Sequence, residues 1–124
     1  MQNLPKSERL HGRDCLSRLF GEGGKGSAGK VFARAIPGGD GAVRIAAVAG
    51  RKLGCAVVRN RMRRRLRAAY RTRKERVPGG WDFVLVARTG LLEAAWQDLA
   101  RDVILAMERA VSDYSGQRRQ GPNR

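Results

Sequence analysis

Residues 51–76 carry twelve Lys or Arg against a single acid, Glu75, a charge of +11 within 26 residues. Such a segment can join a folded domain only if its like charges turn outward and something apolar remains to anchor it. The spacing supplies both. At about 100° per residue, Val58, Met62, Leu66, Ala69 and Tyr70 share an arc of about 120°. Asn60, Arg63, Arg64, Arg67 and Arg71 take the opposite arc, with Arg61 and Arg65 on one flank. The pattern predicts a helix over residues 55–74, docked by its apolar stripe and stopped by Pro78-Gly79-Gly80. Its outer face would present guanidiniums in rows about 5–6 Å apart, a spacing suited to successive phosphates. Arginine dominates, and its planar fork favours bidentate phosphate contacts and stacking on bases.

A charged helix face is most often a solvated one that mixes both signs in i,i+4 pairs. This one has almost no acids, so its charges repel until a polyanion arrives. The whole chain agrees: 26 Lys and Arg against 11 Asp and Glu give +15 and a pI near 11.5. Nucleic acid is the favoured partner. A membrane surface is disfavoured because the apolar stripe lacks Trp and Phe and is needed for the core. No run of about 18 apolar residues could span a bilayer. The opening MQNLPKSERLHGRD lacks the apolar stretch of a signal peptide, so the expected location is the cytoplasm.

The 124 residues suit one domain, expected over residues 1–111, with residues 112–124 a disordered basic tail. Residues 13–20 read as a short helix with Leu16, Leu19 and Phe20 on one side. The run GEGGKGSAG at residues 21–29 reads as a flexible loop. Residues 31–36 alternate, with Val31, Ala33 and Ala35 on one face and Phe32, Arg34 and Ile36 on the other. With the turn residues 37–41 and a second strand at 42–49, they predict an antiparallel hairpin. A buried strand is expected at 82–87. A closing helix is expected at 93–111, with Leu92, Trp96, Leu99, Val103, Met107 and Ala110 as its inner stripe. The fold class is α+β, a two-layer sandwich of helices packed on a small, mostly antiparallel sheet.

Catalytic chemistry in the protein is not indicated. A single histidine, His11, and scattered acids offer no general acid-base pair. Cys15 and Cys55 lie 40 residues apart with no CxxC spacing. Two cysteines could form a disulfide, but reduced, partly buried thiols are the reading for a cytoplasmic chain. No second Cys or His is near enough for a zinc site. No metal site in the protein is expected. Gly24-x4-Gly29-Lys30 imitates part of a phosphate-binding loop, but Val31 replaces the needed Ser or Thr and a strand follows.

The run Arg51-Lys52-Leu53-Gly54-Cys55-Ala56-Val57-Val58-Arg59-Asn60-Arg61-Met62-Arg63-Arg64-Arg65-Leu66-Arg67 resembles the signature of the bacterial ribonuclease P protein. The match covers the basic pair, the Gly, the Ala-Val and the Arg-Asn-Arg box. The order of elements resembles that family over about residues 9–111. Two positions depart from it: Gly50 where Ser is common, and Leu16 where an aromatic is usual. The resemblance implies a left-handed βαβ crossover through the Arg-Asn-Arg helix, against the usual right-handed rule. It implies a protein subunit that assists a catalytic RNA in removing the 5′ leader of precursor tRNA, with Mg²⁺ required by the RNA. By the same resemblance Arg51, Lys52, Arg59, Asn60, Arg61, Arg63, Arg64 and Arg67 would contact the catalytic RNA. Leu16, Phe20, Phe32 and Arg34 would line a cleft for the single-stranded leader, although Phe20 and Phe32 also read as core residues. The competing class is a ribosomal or rRNA-maturation protein with a structural role. A DNA-binding regulator is disfavoured, because no two-helix turn motif or dimerisation heptad is visible.

Overall fold

A computed structural model describes residues 13–38 and 41–119. Helix α1 spans Arg13–Glu22, strand β1 Gly24–Ala28, β2 Val31–Pro37 and β3 Arg44–Val48. Helix α2 spans Ala56–Thr72, strand β4 Trp81–Ala87 and helix α3 Trp96–Arg119. The architecture is α+β: one four-stranded mixed sheet in the order β1-β2-β4-β3, with helices against it.

The expected hairpin between residues 31–36 and 42–49 does not form. Strand β4 lies between its two arms, antiparallel to β2 and parallel to β3. The reason lies in β4 itself. Phe83, Val84 and Leu85 are all fully buried, so both faces of this strand are covered. A central position satisfies such a strand, and an edge would not. Gly38 and Ala42 instead both bond to Gly80, just ahead of β4. Gly38 N–H donates to Gly80 O at 2.7 Å, and Gly80 N–H donates to Ala42 O at 3.2 Å.

The true hairpin is β1–β2, with Ala28 opposite Val31. Its first strand is drawn from the glycine-rich run expected to be a flexible loop. Here glycine serves close approach to α3. A Cβ on Gly24 would sit 2.1 Å from Ala110 O, and one on Gly26 would sit 2.3 Å from Ala106 O. Tertiary contact overrides the loop preference of the sequence.

One sheet face carries the main core. Val31, Ala33 and Ala35 of β2, Phe83 and Leu85 of β4, and Ile45 of β3 meet Met62, Leu66, Ala69 and Tyr70 of α2. They also meet Leu99, Val103, Met107 and Ala110 of α3. The predicted stripe of α2 is thus the buried one, with Val58 packed at its margin. The opposite sheet face holds a smaller cluster in which Leu19 of α1 packs on Ile36 and Val84, flanked by Leu16.

Helix α3 departs from expectation at both ends. It begins at Trp96, because Leu91–Glu93 forms a 3-10 turn and Ala94 is extended. Trp96 is 40% exposed rather than part of the inner stripe, and Leu92 is only half-buried. The helix also continues through residues 112–119, assigned above to a disordered tail. The extension is anchored: Lys25 N–H donates to Asp113 Oδ2 at 2.8 Å, and Tyr114 meets Trp81 edge-on at 5.6 Å. The rest of the tail, residues 120–124, lies outside the described residues.

Candidate nucleic-acid interface

The entry into α2 is built by the motif itself. Arg51–Leu53 forms a 3-10 turn, and Gly54 takes φ 141°, a backbone that side chains disfavour. A Cβ there would also press on Val58 at 3.1 Å. Arg59, one turn into α2, donates from Nε to Gly54 O at 3.2 Å and so locks the turn to the helix. Along this helix Asn60, Arg61 and Arg64 are exposed, while Arg59, Arg63 and Arg67 are half-buried. Arg51 and Lys52 are exposed just ahead of them. The predicted face is therefore continuous, and the first turns of α2 contain no acid.

Arg65, placed on the flank by the wheel, points elsewhere. Its Nη2 donates to Ala94 O at 2.5 Å, and its Cζ lies 5.5 Å from the Trp96 ring centroid. This arginine joins α2 to the start of α3.

Cys55 caps α2 and is exposed, not partly buried as expected. Its thiol makes no cap hydrogen bond of normal geometry. The Val58 amide, then the Val57 amide, and more weakly the Arg59 charge hold its pKa below the ordinary thiol value. Cys15 has a side chain outside the described ones.

The four predicted cleft residues lie around the sheet face that carries α1. Phe20 is 44% exposed, and Phe32 and Leu16 are half-buried. Arg34 is committed to structure: its Nε donates to Leu19 O at 3.1 Å and its Nη2 donates to Phe20 O. It thereby clamps the last turn of α1, adding a second donor to Leu19 O, which also accepts from Gly23 N–H at 3.0 Å, and supplying one to Phe20 O. Phe32 lies under two cations, with Arg34 at 6.0 Å and Arg88 at 5.7 Å from its ring centroid.

Arg88 was missed by the sequence reading. It follows β4 directly, and alternation puts it on the face of Val84 and Val86. Only the β2–β4 register, with Phe32 opposite Val86, brings it to Phe32. The same register joins the two surfaces. Val48 of β3 lies beside Val86, so the chain leaves β3 towards Arg51 and Lys52 at the sheet end that carries Phe32 and Arg88. The basic motif and the aromatic face therefore meet at one end of the sheet.

With this geometry in view, the chain matches the family described as Ribonuclease P over residues 4–111. The chain belongs to the ribonuclease P family. A ribonuclease P protein component from Roseiflexus castenholzii is 33% identical over 108 residues, covering 86% of this chain and 88% of the relative. One from Symbiobacterium thermophilum is 46% identical over 67 residues, covering 54% and 58%. The solved ribonuclease P protein from Thermotoga maritima superposes with TM-score 0.73 at 26% identity, covering 82% of this chain and 96% of that one. That from Staphylococcus aureus gives 0.67 at 17% identity, covering 86% and 94%, a likeness of fold. As a ribonuclease P protein of bacterial type, the chain is a component of an RNA-cleaving ribonucleoprotein. Among the described residues no helix is long and apolar enough to cross a membrane, and no three His, Cys, Asp or Glu gather as a metal-holding group.

Proposed function

We propose that the chain binds the catalytic RNA of ribonuclease P through the outer face of α2 and the preceding basic turn. The residues are Arg51, Lys52, Arg59, Asn60, Arg61, Arg63, Arg64 and Arg67. The single-stranded 5′ leader of precursor tRNA lies on the opposite sheet face, against Leu16, Phe20, Phe32 and Arg88. Arg34 supports that face by holding the end of α1 and by lying over Phe32. The RNA carries the phosphodiester chemistry and its Mg²⁺, and no step is assigned to a residue of this chain. The protein acts by positioning: a leader held beside the catalytic RNA cleaves as if intramolecular. The setting is the bacterial cytoplasm.

One observation carries this reading. The basic turn Arg51–Lys52, which leads into the acid-free arginine face of α2, and the Phe32–Arg88 pair lie at the same end of the sheet, so one RNA assembly can engage both. Phosphates suit the first surface and unpaired bases suit the second.

The test is reconstitution with a bacterial ribonuclease P RNA and a precursor tRNA at low Mg²⁺. Adding the chain should accelerate cleavage, and the gain should shrink when the leader is trimmed to one or two nucleotides. Cleavage unchanged by the protein would overturn the proposal.

A further inference from the structure

Trp96 stands out among the exposed apolar side chains. It opens α3, is 40% exposed, and packs one ring face under the Arg65 guanidinium at 5.5 Å. A lone exposed apolar residue ordinarily needs no explanation. This one differs in three respects.

First, the indole is held. Arg65 is half-buried, donates to Ala94 O, and has a buried Nε with no hydrogen-bond partner among the described residues. A leucine at position 65 could fill the same flank without leaving a buried donor unpaired. The arginine costs some stability here, and in return it clamps a flat ring against α2. Second, the location is specific. Arg61 lies one helical turn before Arg65 and is exposed, as is the adjacent Arg64. The indole therefore borders the basic face. Third, one ring face is taken by the guanidinium, yet the residue keeps 40% of its surface exposed. A fixed aromatic beside a row of arginines is the arrangement that holds a base and its phosphate together. Because the ring is already held, little rotamer entropy remains to be lost on binding.

We infer that Trp96 is a stacking platform for an unpaired nucleobase of the RNA that lies along α2, with Arg61 and Arg64 taking the adjoining phosphates. This rests on the RNA-binding role proposed for α2. The site is separate from the Phe20–Phe32 face, since it lies at the junction of α2 and α3 on the other side of the sheet.

The chain has two tryptophans, and Trp81 is packed edge-on against Tyr114. A full-length Trp81→Phe variant therefore reports on Trp96 alone. Binding a bacterial ribonuclease P RNA transcript should quench its emission strongly. Heparin, a polyanion without bases, should bind and leave the emission nearly unchanged. Equal responses to both would overturn the inference.

In the otherwise unaltered chain, Trp96→Leu should weaken RNA binding about 5-fold or more and leave the slope of log affinity against log salt unchanged. Trp96→Phe should recover most of the loss, and thermal melting checks that both variants fold. Wild-type affinity in Trp96→Leu would overturn the stacking site but leave the arginine face standing. A chain that shows no salt-dependent binding of that RNA would overturn both.

Discussion

Arg44 and Asp82 face each other across the parallel β3–β4 pair, with the guanidinium Nε donating to the carboxylate Oδ1 at 3.1 Å. Asp82 is the buried charged residue of the described core, and its partner sits at the start of an edge strand. The bond therefore ties the first residue of β3 to β4 and helps to set the register that carries α2. Asp82→Ala should lower unfolding stability by about 1.5–3 kcal/mol, the range for a charged hydrogen bond left half-made. Urea denaturation measures this, and a loss below about 0.5 kcal/mol would show the pair to be ornamental.

The glycines of β1 should be irreplaceable where Gly50 is not. Gly24→Ala and Gly26→Ala each drive a Cβ into α3 backbone and should cost about 2–3 kcal/mol. Gly50, by contrast, has open space around its Cβ position and an ordinary φ of −71°. Gly50→Ser should change stability by less than about 0.5 kcal/mol. Thermal melts of the three variants would settle the contrast.

If about five arginines meet phosphates, log affinity for RNA should fall against log salt with a slope of roughly −3.5 to −4.5. Replacing Arg61 and Arg64 together with Ala should make the slope shallower by about 1–2. Filter binding over a range of salt gives the slope directly, and an unchanged value would remove this face from the interface.

Cys55 offers a pH readout of the same place. The α2 amides favour its thiolate, so the folded pKa lies below the unfolded one. Its alkylation should therefore reach half-maximal rate at a lower pH in the folded chain than in urea. The matching stability contribution is present above the unfolded pKa and is lost as pH falls through the folded value. Bound RNA should slow the reaction, because Cys55 caps α2 one turn ahead of Arg59. Peptide mapping separates Cys55 from Cys15; equal midpoints in folded and unfolded chains would contradict the helix-terminus effect.

What could be read without a structure was local. Helix α2 was legible because a 3.6-residue period and a missing set of acids are properties of a contiguous segment. The stripe Met62, Leu66, Ala69 and Tyr70 is the buried one. The Arg59–Arg67 face followed by subtraction. The alternation of Phe32 and Arg34 against Val31, Ala33 and Ala35 was equally local, and it separates the two faces of β2.

What needed tertiary structure was pairing. Residues 42–49 looked like the hairpin partner of β2 because they came next, yet the fully covered β4 took the central place. Gly24 and Gly26 gave no strand signal, since their reason is the backbone of Ala110 and Ala106, 86 and 80 residues away. Arg88 came to Phe32, and Trp96 to Arg65, through register and helix packing that no window of sequence contains. The sequence alone determined one docked, arginine-faced helix and the RNA-directed family to which its motif points. Only the tertiary structure decided that the motif's basic turn and the aromatic sheet face share one end of the sheet, because strand order depends on which distant surfaces must be buried together.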